Sequence, residues 1–438
     1  MNTDTAPSRS ALIPVLILLC SFGVLLFVLL VSTPPPSIRI TPQNIHRLHE
    51  TLRLENIQTG FPRNGFALSS DNSTLLVTST STTEIWRLKE GRKQTMDLTH
   101  SGGFISLMYF DDGQPLASFT NWGGSIRFLN LNTGQTIQNF DGINANTLYA
   151  DWNISPDHRW FVSSKQEADL SVVNLKTGQV RFTVHAPSGF IFRQTNPTFS
   201  PDGRLLATSL IHQDPFGFDV FIWDAVTGQL VKHLDSFAKN FSSSVRSFAF
   251  SPDGKQLAVG GGIYADGLNT SVIQLWNLET DKKLATWHGD GLLAEKLYFT
   301  PDGQNLLATG TGDMWLWNIR GALKTETPYL HLRGDGTGTD YENAVLSHDG
   351  RLLAASTPQN DILLYEVKTA TLLVTLHGHS SFINQVAFSD DDQFLISSSN
   401  DNTVRFWSVS NSNPYPSLAN LQPNLSVPAP IMTPTVPG

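Results

Sequence analysis

Cysteine is nearly missing from this chain: Cys20 is the single thiol among 438 residues. An internal disulfide, a thiolate zinc cage and a Cys-X-X-Cys redox site are therefore excluded. Charge is sparse as well, with 15% Asp, Glu, Lys and Arg together and a formal net charge of −9. Its lysines and arginines form no run or stripe, so the footprint of a nucleic-acid binder is absent, and nucleic acid is set aside as a partner. Neither a Gly-X-Ser-X-Gly elbow, nor a His-Glu-X-X-His pair, nor a phosphate-binding glycine loop occurs. What the chain has in quantity is glycine (33) and proline (24), a balance that suits a turn-rich β protein.

One long apolar run stands near the amino terminus. Residues 11–31 carry no charge, and 16 of these 21 are Leu, Ile, Val or Phe. As a helix they would span about 31 Å, close to the hydrocarbon thickness of a bilayer. Their insertion is favourable by roughly 5–10 kcal/mol. The run is longer than the core of a cleaved signal peptide and leaves through Ser32-Thr33 into three prolines. We expect an uncleaved single-pass signal anchor at 11–31 behind a short head, 1–10, followed by a mobile spacer, 32–47. Arg9 on one side faces Arg39 and Arg47 on the other. The short head favours a cytoplasmic amino terminus and an extracytoplasmic body.

The rest of the chain repeats a turn phrase: SSDN, FDDG, SPDH, SPDG, SPDG, TPDG, SHDG and SDDD. Its aspartates are Asp71, Asp112, Asp157, Asp202, Asp253, Asp302, Asp349 and Asp391, spaced by 41, 45, 45, 51, 49, 47 and 42 residues. A fixed period of this size marks a repeat architecture. Proline presets φ, aspartate bonds its own backbone, and glycine accepts the positive φ from which a strand resumes. Each phrase therefore joins two strands, such as VRSFAF before it and RLLATS after it. A third strand follows with an aromatic at a set place, as in VFIWDA, IQLWNL and VRFWSV, and a fourth follows a short turn such as VTGQ. Four antiparallel strands per period make one blade of a β-propeller.

The chain is similar to the WD-repeat family over about residues 45–410. The matching features are Gly378-His379, the Ser399-X-Asp401-X-Thr403 turn, Trp407, and the one Trp-Asp pair, Trp223-Asp224. This resemblance implies a structural hydrogen-bond network of His379, Ser399, Asp401 and Trp407; most other copies depart from the pattern. The fold expected is all-β, an eight-bladed β-propeller of WD-repeat type over 48–410, with seven blades and one irregular copy as the alternative. The last copy shows three strands, so LHETLRLEN (48–56) is expected to pair beside VRFWSV and remove the free edge. The proline-rich tail, 411–438, is expected to be disordered.

No catalytic, metal or cofactor residue is picked out. His377-Gly-His379 falls where the family places a structural histidine. The loop GDGTGTDYE (334–342) offers oxygen donors for calcium, yet lacks the ligand alternation of a helix–loop–helix site, and reads as a connection. In propellers of this type the second-to-third and fourth-to-first connections share one face. Two of the former, 211–219 and 262–270, are long. With 185–196 and 235–244 they gather Phe190, Phe192, Arg193, Phe216, Phe218, Phe237, Phe241 and Tyr264 in one sector. Aromatics with an arginine among them suit a protein interface. The function expected is a membrane-tethered, non-enzymatic scaffold or sensor binding a protein or ligand on this rim, with no cofactor. The alternative is a propeller enzyme, a quinoprotein-like oxidoreductase or a lactonase-like hydrolase, with its site at the channel mouth.

Overall fold

The computed structural model describes residues 38–55, 57, 66–78, 82–97, 105–109, 115–120, 126–130, 133, 135–140, 154–166, 169–192, 197–213, 216–234, 242–265, 268–289, 293–310, 313–320, 323, 327–333, 343–410, 415 and 418. The expected head and membrane helix, Arg193, Phe237, Phe241 and the loop 334–342 lie outside these. Among the described residues, no helix is long and apolar enough to cross a membrane.

The described strands form eight antiparallel sheets, one per copy of the turn phrase. Numbered in chain order, sheet 1 runs from Phe66–Leu68 to Arg92–Asp97 and sheet 2 from Ile105–Tyr109 to Thr136–Phe140. Sheet 3 comprises Trp160–Gln166, Asp169–Asn174 and Val180–His185, and sheet 4 is built on Leu205–Gln213, Phe216–Asp224 and Leu230–Leu234. Sheet 5 runs from Ser242–Phe250 to Lys282–Gly289, sheet 6 from Ala294–Phe299 to Leu330–Arg333, and sheet 7 from Ala344–Leu346 to Thr371–Leu376. Sheet 8 joins Ile383–Phe388, Leu395–Ser399 and Thr403–Ser408 to the distant strand His49–Leu54.

The turn phrase is repeated because its side chains close each hairpin. In sheet 4, Ser200 Oγ donates to Asp202 Oδ1 at 2.6 Å and accepts from the Leu205 amide at 2.9 Å, while the Arg204 amide donates to the same carboxylate. Gly203 takes φ +69°, which only glycine enters without strain. The Ser–Asp bond recurs from Ser155 to Asp157, Ser251 to Asp253, Ser347 to Asp349 and Ser389 to Asp391.

Neighbouring sheets pack face to face, and the neighbours make a closed cycle. Sheet 1 lies beside sheet 2 through Phe66–Leu68 and Ile105–Tyr109, and Phe128 of sheet 2 meets Phe161 of sheet 3 edge-on at 5.9 Å. Leu170 and Val172 of sheet 3 share a core with Leu206 and Trp223 of sheet 4. Ile222 packs with Leu257 of sheet 5, Leu275 with Leu306 of sheet 6, Leu307 with Leu353 of sheet 7, and Leu364 with Leu395 of sheet 8. Ile396 and Phe406 return to Leu75 and Trp86 of sheet 1. Second strands are the driest, as in Asn305–Gly310 where every residue is buried.

His49–Leu54 pairs with Thr403–Ser408 in the register His49↔Ser408 to Leu54↔Val404. Across this seam Arg405 donates to Glu50 at 2.8 Å, and Glu50 also accepts from Arg53 at 2.7 Å. Both flanking segments are better fixed than their composition suggests. Ile40 and Ile45 are buried against sheets 7 and 8, and the Ile40 amide donates to the Asp392 carbonyl at 2.8 Å, so the expected mobile spacer docks from residue 40 on. Likewise Tyr415 and Leu418 fill the core between sheets 8 and 1, and the Tyr415 hydroxyl donates to the Asn72 carbonyl at 2.8 Å. Burying two large apolar side chains outweighs the entropy of ordering so short a stretch, which corrects the expectation of disorder at that point.

Candidate functional site

The family-type network lies in sheet 8, and the structure changes one of its members. Trp407 Nε1 donates to Ser397 Oγ at 3.0 Å, Ser397 faces His379 Nε2 at 2.8 Å, and His379 Nδ1 faces Asp401 Oδ2 at 2.9 Å. One tautomer satisfies all three: indole to hydroxyl, hydroxyl to Nε2, and Nδ1–H to carboxylate. The serine is Ser397, not Ser399. In this register Leu395 stands opposite Trp407, and the residue two further on, on the same face, meets the indole nitrogen. Ser399 instead donates to the Ser381 carbonyl at 2.9 Å. Burial pushes His379 below its ordinary value despite Asp401. Burial would raise Asp401, but hydrogen bonds from His379 and Thr403 hold it far below the usual carboxylate range. These four residues brace a blade and expose no reactive atom.

The rim sector is where the sheets change shape. Second and third strands have five to seven residues in the other sheets, as in Thr74–Thr78, Trp160–Gln166 and Asn305–Gly310. In sheet 4 both have nine, and in sheet 5 both have ten. The expected loops 211–219 and 262–270 are thus hairpins whose ladders continue to Gln213↔Phe216 and Ala265↔Leu268. Sheet 5 manages this through Gly261, where a Cβ would stand 1.8 Å from the Ser244 carbonyl oxygen.

Phe190 begins a two-residue strand that pairs with Ile211 and His212, and it is half-buried. Phe192 and Phe218 are both 3% exposed, core side chains of sheets 3 to 5, and so cannot be the exposed anchors their loop-like context suggested. The structure describes the backbones of Phe216 and Tyr264, paired with Gln213 and with Ser242 and Asn269, but not their side chains.

A polar cluster sits at the base of the sheet 4 extension. Asp219 Oδ2 accepts from His233 Nε2 at 2.8 Å, and His212 Nε2 lies 3.9 Å from the other oxygen, Oδ1, which is buried with no hydrogen-bond partner. Phe190 turns its ring edge-on to His212 at 5.6 Å and to His233 at 5.9 Å, and Phe221 stacks on His233 at 4.4 Å. Gly217 leaves room for this imidazole, since a Cβ there would lie 2.8 Å from His212 Nε2.

The same Asp–His pairing recurs at the matching place in other third strands: Asp169 with His185 at 2.7 Å, Asp313 with His331 at 3.2 Å and Asp361 with His377 at 2.9 Å. Aligning DLSVVN, DVFIWD, DMWLWN and DILLYE at the position that is aromatic in the last three and Val173 in the first exposes this aspartate, a signal that motif searching passes over. Among the described residues no group of three His, Cys, Asp or Glu is placed to hold a metal ion. The pairs tie third to fourth strands at one end of these sheets, and in sheet 4 the pair braces the base of the extended hairpin.

Comparison with known proteins bears on this geometry. The family described as "WD domain, G-beta repeat" matches residues 231–268 and 370–408. The protein carries WD40 repeats on a β-propeller. The second matched stretch contains all four members of the sheet 8 network. Two curated relatives share parts of this WD40 chain: zebrafish (Danio rerio) "Apoptotic protease-activating factor 1", 25% identical over 43% of the chain and 17% of the relative, and "Anaphase-promoting complex subunit cdc20" of Dictyostelium discoideum, 28% identical over 40% of the chain and 34% of the relative. The chain therefore spans between about a sixth and a third of these relatives. The solved Dos1 propeller superposes with a TM-score of 0.65 at 12% identity, covering 84% of the chain and 97% of that structure, a likeness of fold.

Proposed function

We propose that this WD40 propeller is a membrane-tethered, non-enzymatic scaffold that binds a protein partner on the rim carrying the extended hairpins of sheets 4 and 5. The observation behind this is the lengthening of adjacent hairpins to nine and ten residues per strand at one sector. The inner residues of the extensions, Ile211 and Phe218, pack into the core and hold two long hairpins side by side as a platform for another chain. The relative named as a subunit of the anaphase-promoting complex acts within an assembly by its printed name. The tether is the uncharged run 11–31, with the ring on the extracytoplasmic side.

The test trims the hairpins without opening the ring. Replacing Ile211–Phe218 by Asn-Gly joins the opposed pair Leu210 and Asp219 through a two-residue turn, and replacing Ile263–Thr270 does the same for Gly262 and Ser271. Cross-linking in intact cells should recover a partner with the wild type and lose it with either trimmed chain, each still folded by circular dichroism, the first at a lowered Tm because Ile211 and Phe218 leave the core. Recovery of the same partner with both trims would move the interface elsewhere.

A further inference from the structure

The turn phrases of sheets 8 and 1 end on residues other than glycine, and each receives a segment from one end of the chain. Asp392 and Asn72 hold the fourth place of their phrases at φ +56° and +55°, where sheets 4 to 7 have Gly203, Gly254, Gly303 and Gly350. Both reach back with their side chains to the phrase before. Asp392 accepts from the His348 and Asp349 amides at 2.8 and 3.0 Å, and Asn72 Nδ2 donates to Asp391 Oδ2 at 2.8 Å. Both then offer a carbonyl to an incoming donor, the Ile40 amide at Asp392 and the Tyr415 hydroxyl at Asn72, each at 2.8 Å. The preceding phrases, SHDG and SDDD, lack the proline of SPDG and TPDG. Where that proline is present, neighbouring phrases stand close: a Cβ at Gly350 would lie 2.6 Å from Pro301 Cδ, and one at Gly303 3.5 Å from Pro252 Cδ. Without it, the clefts between sheets 7 and 8 and between sheets 8 and 1 receive a chain segment instead.

The second cleft has the features of a peptide site. Tyr415 is 4% exposed and Leu418 0%. The Tyr415 ring meets Phe406 edge-on at 5.8 Å and lies beside Phe394 at 6.0 Å, with Leu54, Ile57 and Leu88 in the same cluster. The Leu418 amide donates to the Tyr415 carbonyl at 3.1 Å, which closes a single four-residue turn, and the sequence supplies Pro416 at its second place, where proline presets φ. A turn so preorganised loses little freedom on docking. It also stands outside the closure of the ring, since His49–Leu54 pairs with Thr403–Ser408 before the tail begins.

We infer that the cleft between sheets 8 and 1 is a docking site for a Tyr-X-X-Leu turn on a partner protein, and that the chain's own turn, 415–418, is a latch that fills it until such a partner competes. The tyrosine has to be neutral. Burial and the carboxylates of Asp391 and Asp71 push the Tyr415 hydroxyl above its ordinary value, so it stays a donor to Asn72, whereas a phosphotyrosine would meet two like charges. This site lies at the turn-phrase end of the strands and the long hairpins of sheets 4 and 5 at the other, so it stands or falls independently of the rim reading above.

The experiment uses the full chain and a fluorescein-labelled peptide of sequence NSNPYPSLAN, residues 411–420. Tyr415→Ala combined with Leu418→Ala empties the cleft, and this chain should bind the peptide saturably, read by anisotropy. The wild type, whose tethered turn competes, should bind it at least about tenfold more weakly. A peptide carrying Tyr415→Phe should lose about fivefold in affinity, and one phosphorylated on its tyrosine should not bind. In the full chain, Tyr415→Phe keeps the ring in its pocket and should raise peptide affinity about fivefold over the wild type; it serves in place of the double variant if circular dichroism shows the latter unfolded. Hydrogen exchange at the wild-type Leu418 amide should outrun that of Leu395–Ser399 through transient release of the latch. A folded variant that ignores the peptide, or exchange at Leu418 no faster than in that strand, makes the turn a fixed part of the core and overturns the proposal. Wild-type dimers that the free peptide takes apart would give the cleft to a second copy and overturn it as well.

Discussion

Arg405 holds Glu50 across 2.8 Å, although 355 positions separate them along the chain. Both side chains are under a tenth exposed, and they stand on the two strands that close the ring. Removing Glu50 leaves the buried Arg405 guanidinium only its longer ion pair with Asp401 at 3.5 Å, a loss at the lower end of the about 3–5 kcal/mol of a buried pair broken on one side. Glu50→Ala should lower the free energy of unfolding by about 3 kcal/mol, measured by urea denaturation through tryptophan fluorescence. Glu50→Leu combined with Arg405→Leu should cost less than the two singly. Strict additivity would show that the pair does not act as a unit.

The seam between sheets 7 and 8 should respond to pH through His348. Its Nδ1 lies 3.2 Å from Asp392 Oδ1, and this hydrogen bond holds the imidazole above its ordinary value of 6.5. The folded state binds the proton more tightly than the unfolded one. The contribution is therefore complete below pH 6.5 and fades as pH rises through the raised value. His379 has the opposite sign: burial lowers it, so its contribution is complete above 6.5 and fades as pH falls through the depressed value. The gap in Tm between wild type and His348→Gln should be wider at about pH 5.5 than at about pH 8. A gap that does not change with pH would remove His348 from the seam.

Ser397 should matter more than Ser399. Ser397→Ala leaves both Trp407 Nε1 and His379 Nε2 without their partner, at about 1–3 kcal/mol. Sheet 6 offers the converse. Ala308 occupies the matching place, and Trp317 Nε1 is buried without a partner, while in sheet 4 Thr208 accepts from Trp223 Nε1 at 2.9 Å. Ala308→Ser should raise stability by about 1 kcal/mol. Thermal unfolding of the three variants tests the register; equal losses for Ser397→Ala and Ser399→Ala would contradict it.

Two truncations separate the docked part of the tail from the rest. Ending the chain after Ser410 removes Tyr415 and Leu418 from the core between sheets 8 and 1 and should cost about 3 kcal/mol. Ending it after Asn420 should leave the Tm where it was. Equal stability of the two chains would show that the docked residues contribute nothing.

The repeat was legible because its turn phrase carries its own hydrogen bonds: a serine at Ser200 and an aspartate at Asp202 close a hairpin wherever they recur. The hairpin extensions were not. IHQDPFGFD looks like a loop through its Asp-Pro and Gly, yet the ladder runs out to the pair Gln213↔Phe216. Gly217 lies within a strand because His212 needs the space of its missing side chain. Once 211–219 is read as a loop, the alternation that sends Phe218 into the core is lost from view. The family resemblance points to Ser399 through the Ser-X-Asp-X-Thr turn, whereas contact with Trp407 depends on cross-strand register.

The pairing of His49–Leu54 with Thr403–Ser408 also sets a timetable. On the ribosome the first of these strands is made early and its mate only after some 350 further residues, so its backbone waits through most of translation with no ladder to join. Sheet 8 is the last to be completed, and a nascent chain stalled before Thr403 holds a ring with an unfilled gap, open to chaperones and proteases until synthesis resumes.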